Sequence, residues 1–180
     1  MTTPEDVLDF WFGEATPVQW FAKDDGFDVA LRSRFGALHD EAAAGGLGDW
    51  EATADGRMAL ILVLDQMSRN LYRGDAHAYA TDPLARHYAT RAVGLGLDKQ
   101  VEATLRPFLY LPFEHSEDPI DQEHSMRLFG ALDDPESARW ARVHHDIIVR
   151  FGRFPHRNAA LGRATTPTEQ AFLDNGGFGG

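Results

Sequence analysis

The sequence contains no cysteine, which excludes disulfide bridges, thiolate metal sites and a cysteine nucleophile. Lysine is also scarce, with two residues against fifteen arginines, and the excess of acidic residues gives a formal net charge of −11. Neutralising a nucleic-acid backbone requires a basic face, and a chain of this charge is poorly suited to supply one. We therefore expect no nucleic-acid partner.

Long apolar runs are absent as well. The longest is MALILVL (58–64), which is too short to span a bilayer. The N-terminal stretch MTTPEDVLDF has neither the basic region nor the apolar segment of a signal peptide. We therefore expect a cytoplasmic protein with no membrane partner. The length and apolar content predict a single domain over residues 1–175, followed by a flexible glycine-rich tail at 176–180.

Helix start signals recur along the chain. A proline directly follows an aspartate or threonine at Asp82-Pro83, Asp118-Pro119, Asp134-Pro135 and Thr166-Pro167, the pattern of an N-cap and a first helical residue. Apolar residues between these starts are spaced by three and four, and no segment alternates over more than a few residues. We predict an all-α fold of about eight helices, stacked as helical hairpins.

The predicted helix over 55–73 has an apolar first half and a second half with a polar face. Its first half, MALILVL, is apolar on all sides, which predicts a helix buried on every side. Its second half has one polar face, formed by Asp65, Gln66, Arg69, Asn70 and Arg73. Gln, Asn and Arg present directional hydrogen-bond donors, whereas a solvated face usually carries Lys and Glu. The polar face therefore either reaches the surface or lines a polar cavity.

A second group of polar residues lies in LPFEHSEDPIDQEH (111–124). Asp118 has the position of a helix N-cap, which explains its charge without a function. The residues Glu114, His115 and Ser116 precede that cap, at the end of the previous predicted helix. Helix capping does not account for them, so we treat them as candidates for a functional site.

The third group spans the end of the predicted helix 135–151 and the loop after it. His144 lies within the apolar face of this helix, which is typical of a core histidine with one hydrogen-bonded nitrogen. His145 lies at the edge of that face and is more available to a ligand. The loop that follows carries Arg153, His156 and Arg157, and loops are where binding residues concentrate.

These residue types favour acid–base chemistry on an anionic small molecule. Four arginines are predicted to clamp a carboxylate or phosphate, namely Arg69, Arg73, Arg153 and Arg157. Glu114 or His115 is predicted to carry the proton. The competing interpretation is that the arginines pair with the acidic residues in a structural ion-pair network.

A metal site is a weaker interpretation. His115 with Glu114, Glu117 or Asp118, joined by His145 or His156, would supply enough nitrogen and oxygen ligands. No helical ligand spacing of known meaning supports this arrangement, so we assign no metal ligand from the sequence.

Three stretches resemble the signature blocks of a bacterial family known as domain of unknown function 924. They are DQMSRNLYRGDAHAYATD (65–82), LPFEHSED (111–118) and HHDIIVRFGRFPHRNAALGRATTPTE (144–169), and DVLDFWFG (6–13) also matches. Met67 stands where the family commonly has Phe. The resemblance implies an all-helical fold similar to tetratricopeptide-repeat proteins. It implies no reaction and no cofactor, so both remain unknown at this stage.

Two functions follow as predictions. In the first, the three blocks converge on one polar pocket that binds a small anionic molecule, through Asp65, Gln66, Arg69, Asn70, Arg73, Ser116, His145, Arg153, His156 and Arg157, with Glu114 and His115 as catalytic residues if a reaction occurs. In the second, a helical scaffold binds a peptide or a partner protein. Trp11, Phe12, Trp20 and Phe21 are the candidates for such a surface. Whether the protein is an enzyme, and its oligomeric state, are open.

Overall fold

The computed structural model describes residues 2–180, and no strand occurs among them. The predicted all-α fold is confirmed, whereas the similarity to tetratricopeptide-repeat proteins is not. The chain divides into two compact units: the first runs to Arg73 and includes His77–Pro112, and the second comprises Gly74–Ala76 and Phe113–Gly180. The single domain over 1–175 stays a prediction. Within residues 2–180, no helix combines the length and the apolar character needed to cross a membrane.

The first unit is built from short helices and one long one. The α-helices are α1 (Pro4–Leu8), α2 (Pro17–Phe21), α3 (Asp25–Ala43), α4 (Ala54–Ile61), α5 (Ser68–Leu71), α6 (His77–Ala80) and α7 (Asp82–Gly94). Two π-helical segments (Asp9–Glu14 and Leu62–Met67) and two 3₁₀ segments (Gly48–Ala52 and Leu97–Gln100) lie between them. Helix α2 was not predicted, although Thr16-Pro17 with Gln19 forms the same capping box as the predicted start at Thr166.

The core of the first unit surrounds the run predicted to be buried on every side. Residues 58–64 are at most 2% exposed, which confirms that prediction. This run spans α4 and the π-helical segment Leu62–Met67, and helices α1, α3 and α7 pack around it. Trp11 is also completely buried, so it is a core residue and forms no part of a binding surface.

Residues 98–111, which the sequence predicts as one helix, do not form a single helix. Residues 97–100 form a 3₁₀ turn, and a separate helix α8 (Pro107–Glu114) begins at a proline. The residue before a proline is disfavoured in the α conformation, which is a physical reason for the break at Arg106. Helix α8 ends at Glu114, directly before His115.

The second unit contains the end of α8 and three further α-helices. These are α9 (Pro119–Gly130), α10 (Pro135–Phe151) and α11 (Pro167–Asp174), with a 3₁₀ turn at Pro155–Arg157. Helices α9 and α10 pack against each other. The core contains Ile147, Ile148 and Phe154, and Phe178 packs against it from the C-terminal segment. The flexibility of residues 176–180 stays a prediction.

Candidate functional site

The polar face of the first unit is occupied by ion pairs. Arg69 donates two hydrogen bonds of 3.1 Å to the carboxylate of Asp82, one from each terminal guanidinium nitrogen. Its Nη1 also lies 3.0 Å from Oδ1 of Asp65, a completely buried carboxylate. Gln66 Nε2 donates to the other oxygen of Asp65 at 2.6 Å. One arginine therefore compensates two carboxylates.

Asn70 and Arg73 continue this pattern on Asp28. Asn70 Nδ2 donates to Asp28 Oδ1 and Arg73 Nε donates to Asp28 Oδ2, each at 2.8 Å. Burial alone would raise the pKa of Asp28, but the hydrogen bonds from Arg73 and Asn70 outweigh it and hold this pKa below its ordinary value. All five predicted residues of this face thus have polar partners inside the first unit, which supports the structural ion-pair interpretation for this block.

A glutamine holds the backbone that carries Glu114 and His115. Gln122 is completely buried on α9, and its Nε2 donates to the carbonyl oxygens of Glu114 (2.6 Å) and Ser116 (2.7 Å). Ser116 is also fixed by its side chain, because its hydroxyl donates to Asp121 Oδ2 at 2.7 Å. The two residues on either side of His115 are therefore fixed to the start of α9.

His144 completes a cluster with these residues. Its Nδ1 lies 2.9 Å from the carbonyl oxygen of Trp140 and 3.2 Å from Oε1 of Glu114. One candidate ligand atom from each of Glu114, His115 and His144 lies within 4.8 Å of the other two. Glu114 and His144 are buried and His115 is half-buried. We call these three residues the histidine cluster.

Two arginines of the loop after α10 pair with glutamates. Arg153 binds Glu169 through two hydrogen bonds, from Nε at 2.6 Å and from Nη2 at 2.9 Å. Arg163 also binds Glu117 through two hydrogen bonds, from Nη1 and Nη2. Glu117 Oε1 accepts a further hydrogen bond from the backbone N–H of Phe154. These charges are compensated, and the pairs fix the path of the loop.

Two phenylalanines connect the rest of the loop to the histidine cluster. Phe178 lies 4.5 Å from the ring of His144 and 5.2 Å from that of His156, measured between centroids. Phe154 lies 5.5 Å and 5.7 Å from the same two rings, and the guanidinium of Arg157 stacks on it at 4.6 Å. Three basic side chains thus surround two aromatic rings.

Comparison with known proteins identifies the family. The profile of a family described as "Bacterial protein of unknown function (DUF924)" matches residues 7–177. The chain belongs to this family. The solved structure of a protein of unknown function from Agrobacterium tumefaciens matches this chain with a TM-score of 0.91 and 46% sequence identity. The match covers 96% of this chain and 97% of that one. A comparison with curated proteins finds no match. The DUF924 likeness supports the fold and supplies no activity.

The second and third blocks of this DUF924 member meet in the second unit. Glu114, His115 and His144 lie together, and His156 and Arg157 reach them through shared aromatic contacts. The histidine that joins Glu114 and His115 is His144, rather than His145 or His156. Sequence analysis assigned His144 to the core, although a polar residue in the middle of an apolar face was a usable signal.

The remaining predicted residues have other surroundings. His145 is half-buried, with Nδ1 3.2 Å from Asp146 Oδ1. Arg153 pairs with Glu169, and Ser116 holds Asp121. The predicted site residues of the first block belong to the other unit, so convergence of all three blocks on one pocket stays a prediction. A cleft of about 330 Å³ in the first unit contains none of the predicted site residues.

The pairing of Glu169 predicts an acid-dependent loss of stability. The bonds from Arg153 and from the Thr166 backbone lower the pKa of Glu169 from 4.5 to about 2. A depressed pKa stabilises the fold above the ordinary value, and this contribution disappears as pH falls from about 4.5 towards 2. We expect Glu169→Gln to be less stable than wild type at pH 7, with a difference that shrinks over this window.

Urea unfolding at pH 7, 4 and 3 measures this difference. The control is Glu123→Gln, which neutralises an exposed glutamate of the same unit and should change stability little at any of these pH values. A Glu169→Gln deficit that stayed constant on acidification would contradict the assignment.

Proposed function

We propose that the second unit binds a small anionic molecule beside the histidine cluster. The observation that carries this proposal is the meeting of Glu114 and His115, at the end of α8, with His144 from the middle of α10. Two imidazoles and a carboxylate from separate segments form a compact polar group against an otherwise apolar face. Buried titratable groups that come together from separate segments are a common feature of functional sites, and this supports a role beyond packing.

The charge distribution favours an anion as the ligand. The rings of Phe154 and Phe178 bring together three basic side chains, namely His144, His156 and Arg157. Aromatic surroundings lower the local dielectric, which strengthens the attraction between these basic groups and a bound negative charge. A negative group beside the cluster is therefore attracted by several basic side chains at once.

The acid–base role of Glu114 and His115 belongs to the same proposal. A carboxylate at 3.2 Å from an imidazole nitrogen, next to a second imidazole that solvent reaches, is an arrangement suited to moving protons. Whether a reaction follows binding depends on the ligand, and binding is the part to test first.

A thermal-shift screen of small carboxylates and phosphates tests the proposal. A ligand present at about 100 times its dissociation constant stabilises by about 2.7 kcal/mol, which raises the melting temperature by roughly 5–10 °C for a chain of this size. We expect such a shift for wild type and a loss of it in His156→Ala and Arg157→Ala.

The matched control is His124→Ala, which removes another half-buried histidine of the second unit and should keep the full shift. Because Arg157 is buried and its variant is at risk of misfolding, circular dichroism should establish that each variant is folded. Equal shifts in wild type and all variants, or no shift with any compound, would contradict the proposal.

The alternative is a protein-interaction module, and one surface feature favours it. On α2, Val18 is 71% and Phe21 is 68% exposed, and Phe21 stacks on Phe108. The apolar cleft of about 330 Å³ is also lined by Phe12 and Met58 of this unit. Exposed aromatic residues beside an apolar cleft are typical of peptide-binding surfaces. A peptide whose binding is abolished by Phe21→Ser and unaffected by His156→Ala would favour this alternative.

A further inference from the structure

The spacing of the histidine cluster approaches that of a metal site. Ligand atoms bound to one tetrahedral metal ion at about 2.1 Å lie roughly 3.4 Å from one another. One candidate ligand atom from each of Glu114, His115 and His144 lies within 4.8 Å of the other two. Side-chain adjustments of about an ångström would bring the three donors to metal-binding distance.

The donor types indicate the kind of ion. Two imidazole nitrogens and one carboxylate oxygen suit divalent transition metals, above all zinc, whereas calcium and magnesium prefer oxygen ligands alone. We propose that Glu114, His115 and His144 bind a divalent transition metal ion of the zinc type. Three protein ligands leave one coordination position open, which is the pattern of zinc sites that act on small molecules.

The hydrogen bonds that orient the cluster residues fit this assignment. His144 Nδ1 lies 2.9 Å from the carbonyl oxygen of Trp140, which can only accept, so Nδ1 carries the hydrogen and Nε2 is the atom that would bind the ion. Histidine ligands are usually oriented by such a bond from their second nitrogen. Gln122 fixes the backbone on both sides of His115. The donors are thus held by helices α8, α9 and α10 rather than by a mobile loop.

The solvent access of the histidine cluster and the polarity of its surroundings also fit a metal site. Glu114 and His144 are buried, while His115 is half-buried and gives an ion a route from solvent. Phe154 and Phe178 pack against the His144 ring with an edge-on geometry. The surroundings are apolar enough to strengthen the ion's attraction for a negative group at the open position. The metal ion thereby supplies a cationic partner for the anion, and this part of the inference rests on the proposed function.

The first experiment is isothermal titration of zinc chloride into the full chain after removal of metals with a chelator. We expect wild type to bind one equivalent. Glu114→Gln and His115→Ala should weaken binding by about 100-fold, since even loss of a supporting contact costs 10- to 100-fold in metal affinity. His124→Ala is the matched control, because it removes a half-buried histidine of the same unit outside the cluster and should bind zinc as wild type does.

Cobalt substitution gives a second readout. Co²⁺ in a low-coordinate nitrogen and oxygen site has strong visible absorption, whereas Co²⁺ on surface side chains does not. We expect the absorption in wild type and His124→Ala and its loss in His115→Ala. Absence of stoichiometric zinc binding by wild type, or equal binding by His115→Ala and His124→Ala, would overturn the assignment.

Acetate titrations separate this inference from the proposed function. The zinc titration contains no organic anion, so its result does not depend on anion binding. Zinc binding with no acetate response in either the metal-free or the zinc-loaded protein would count against the anion site and leave the metal site intact. Equal acetate binding by both forms would overturn the role of the metal in holding the anion.

Discussion

Replacement of Arg69 by methionine is expected to lower the free energy of unfolding by about 3–5 kcal/mol, the usual cost of removing one partner from a buried ion pair. Arg69 lies between Asp65 and Asp82, which are both buried, and it binds Asp82 with two parallel hydrogen bonds. Methionine keeps much of the length of the side chain but leaves both carboxylates without their cation. The melting temperature should fall by roughly 10 °C in a chain of this size.

Arg73→Met is the matched control for Arg69→Met. Arg73 lies one turn further along the chain and also binds an aspartate, but 36% of its side chain is exposed. Exposed ion pairs contribute only about 0–1 kcal/mol, so this variant should melt within a few degrees of wild type. Urea denaturation measures the free energy of unfolding of both variants. Equal stabilities for the two variants would contradict the structural role of the Asp65–Arg69–Asp82 group.

Replacement of Gln122 by leucine is expected to cost about 2–4 kcal/mol, because the carbonyl oxygens of Glu114 and Ser116 lose their buried donor. Leucine is close to glutamine in volume, so the cost comes from the unsatisfied carbonyls and not from a large cavity. The same change frees the backbone of His115. We therefore expect zinc affinity to fall by roughly 10- to 100-fold in this variant, as for other residues that position a ligand.

Urea unfolding measures the loss of stability of Gln122→Leu, and zinc titration measures its loss of zinc affinity. Gln170→Leu is the control, since Gln170 is an exposed glutamine of α11 whose amide donates to Asp174 on the same helix. It should leave stability and zinc binding nearly unchanged. A Gln122→Leu protein with wild-type stability would contradict the assignment, and wild-type zinc affinity in a destabilised variant would limit Gln122 to a structural role.

The starts of the later helices were predictable from the sequence because helix caps are local. Asp118, Asp134 and Thr166 each accept a hydrogen bond from a backbone N–H two or three residues ahead, and a proline follows each at once. The residues needed to recognise these signals are neighbours in the chain. The long apolar run at 58–64 was predictable for the same reason, since an all-round apolar pattern requires burial.

The partners of the polar residues were not predictable, because they are distant in sequence. Asp28, which binds Asn70 and Arg73, lies more than forty residues before them. Glu117 meets Arg163 across 46 positions. Periodicity shows which side chains share a helix face, but it does not show what that face meets. The sequence therefore identified the polar face of 65–73 and left open whether it bound a ligand or an ion-pair partner.

The histidine cluster shows the same limit. Glu114 and His115 were recognised because no helix cap explains them, whereas His144 was assigned to the core because the residues around it are apolar. It is buried, as that assignment required, and it also faces Glu114. Burial and participation in a site are compatible when the partner is itself a buried polar group, and one sequence gives no sign of that partner.

The carboxylate of Glu169 ties together three separate parts of the second unit. It accepts hydrogen bonds from Arg153 after α10, from Asn158 in the following turn, and from the backbone of Thr166 at the start of α11. If any one of these segments moved away, it would lose its hydrogen bond to the carboxylate that the other two segments also bind. The chain from Arg153 to the first turn of α11 should therefore open to solvent as one cooperative unit, and hydrogen exchange should give its protected backbone amides a common opening free energy.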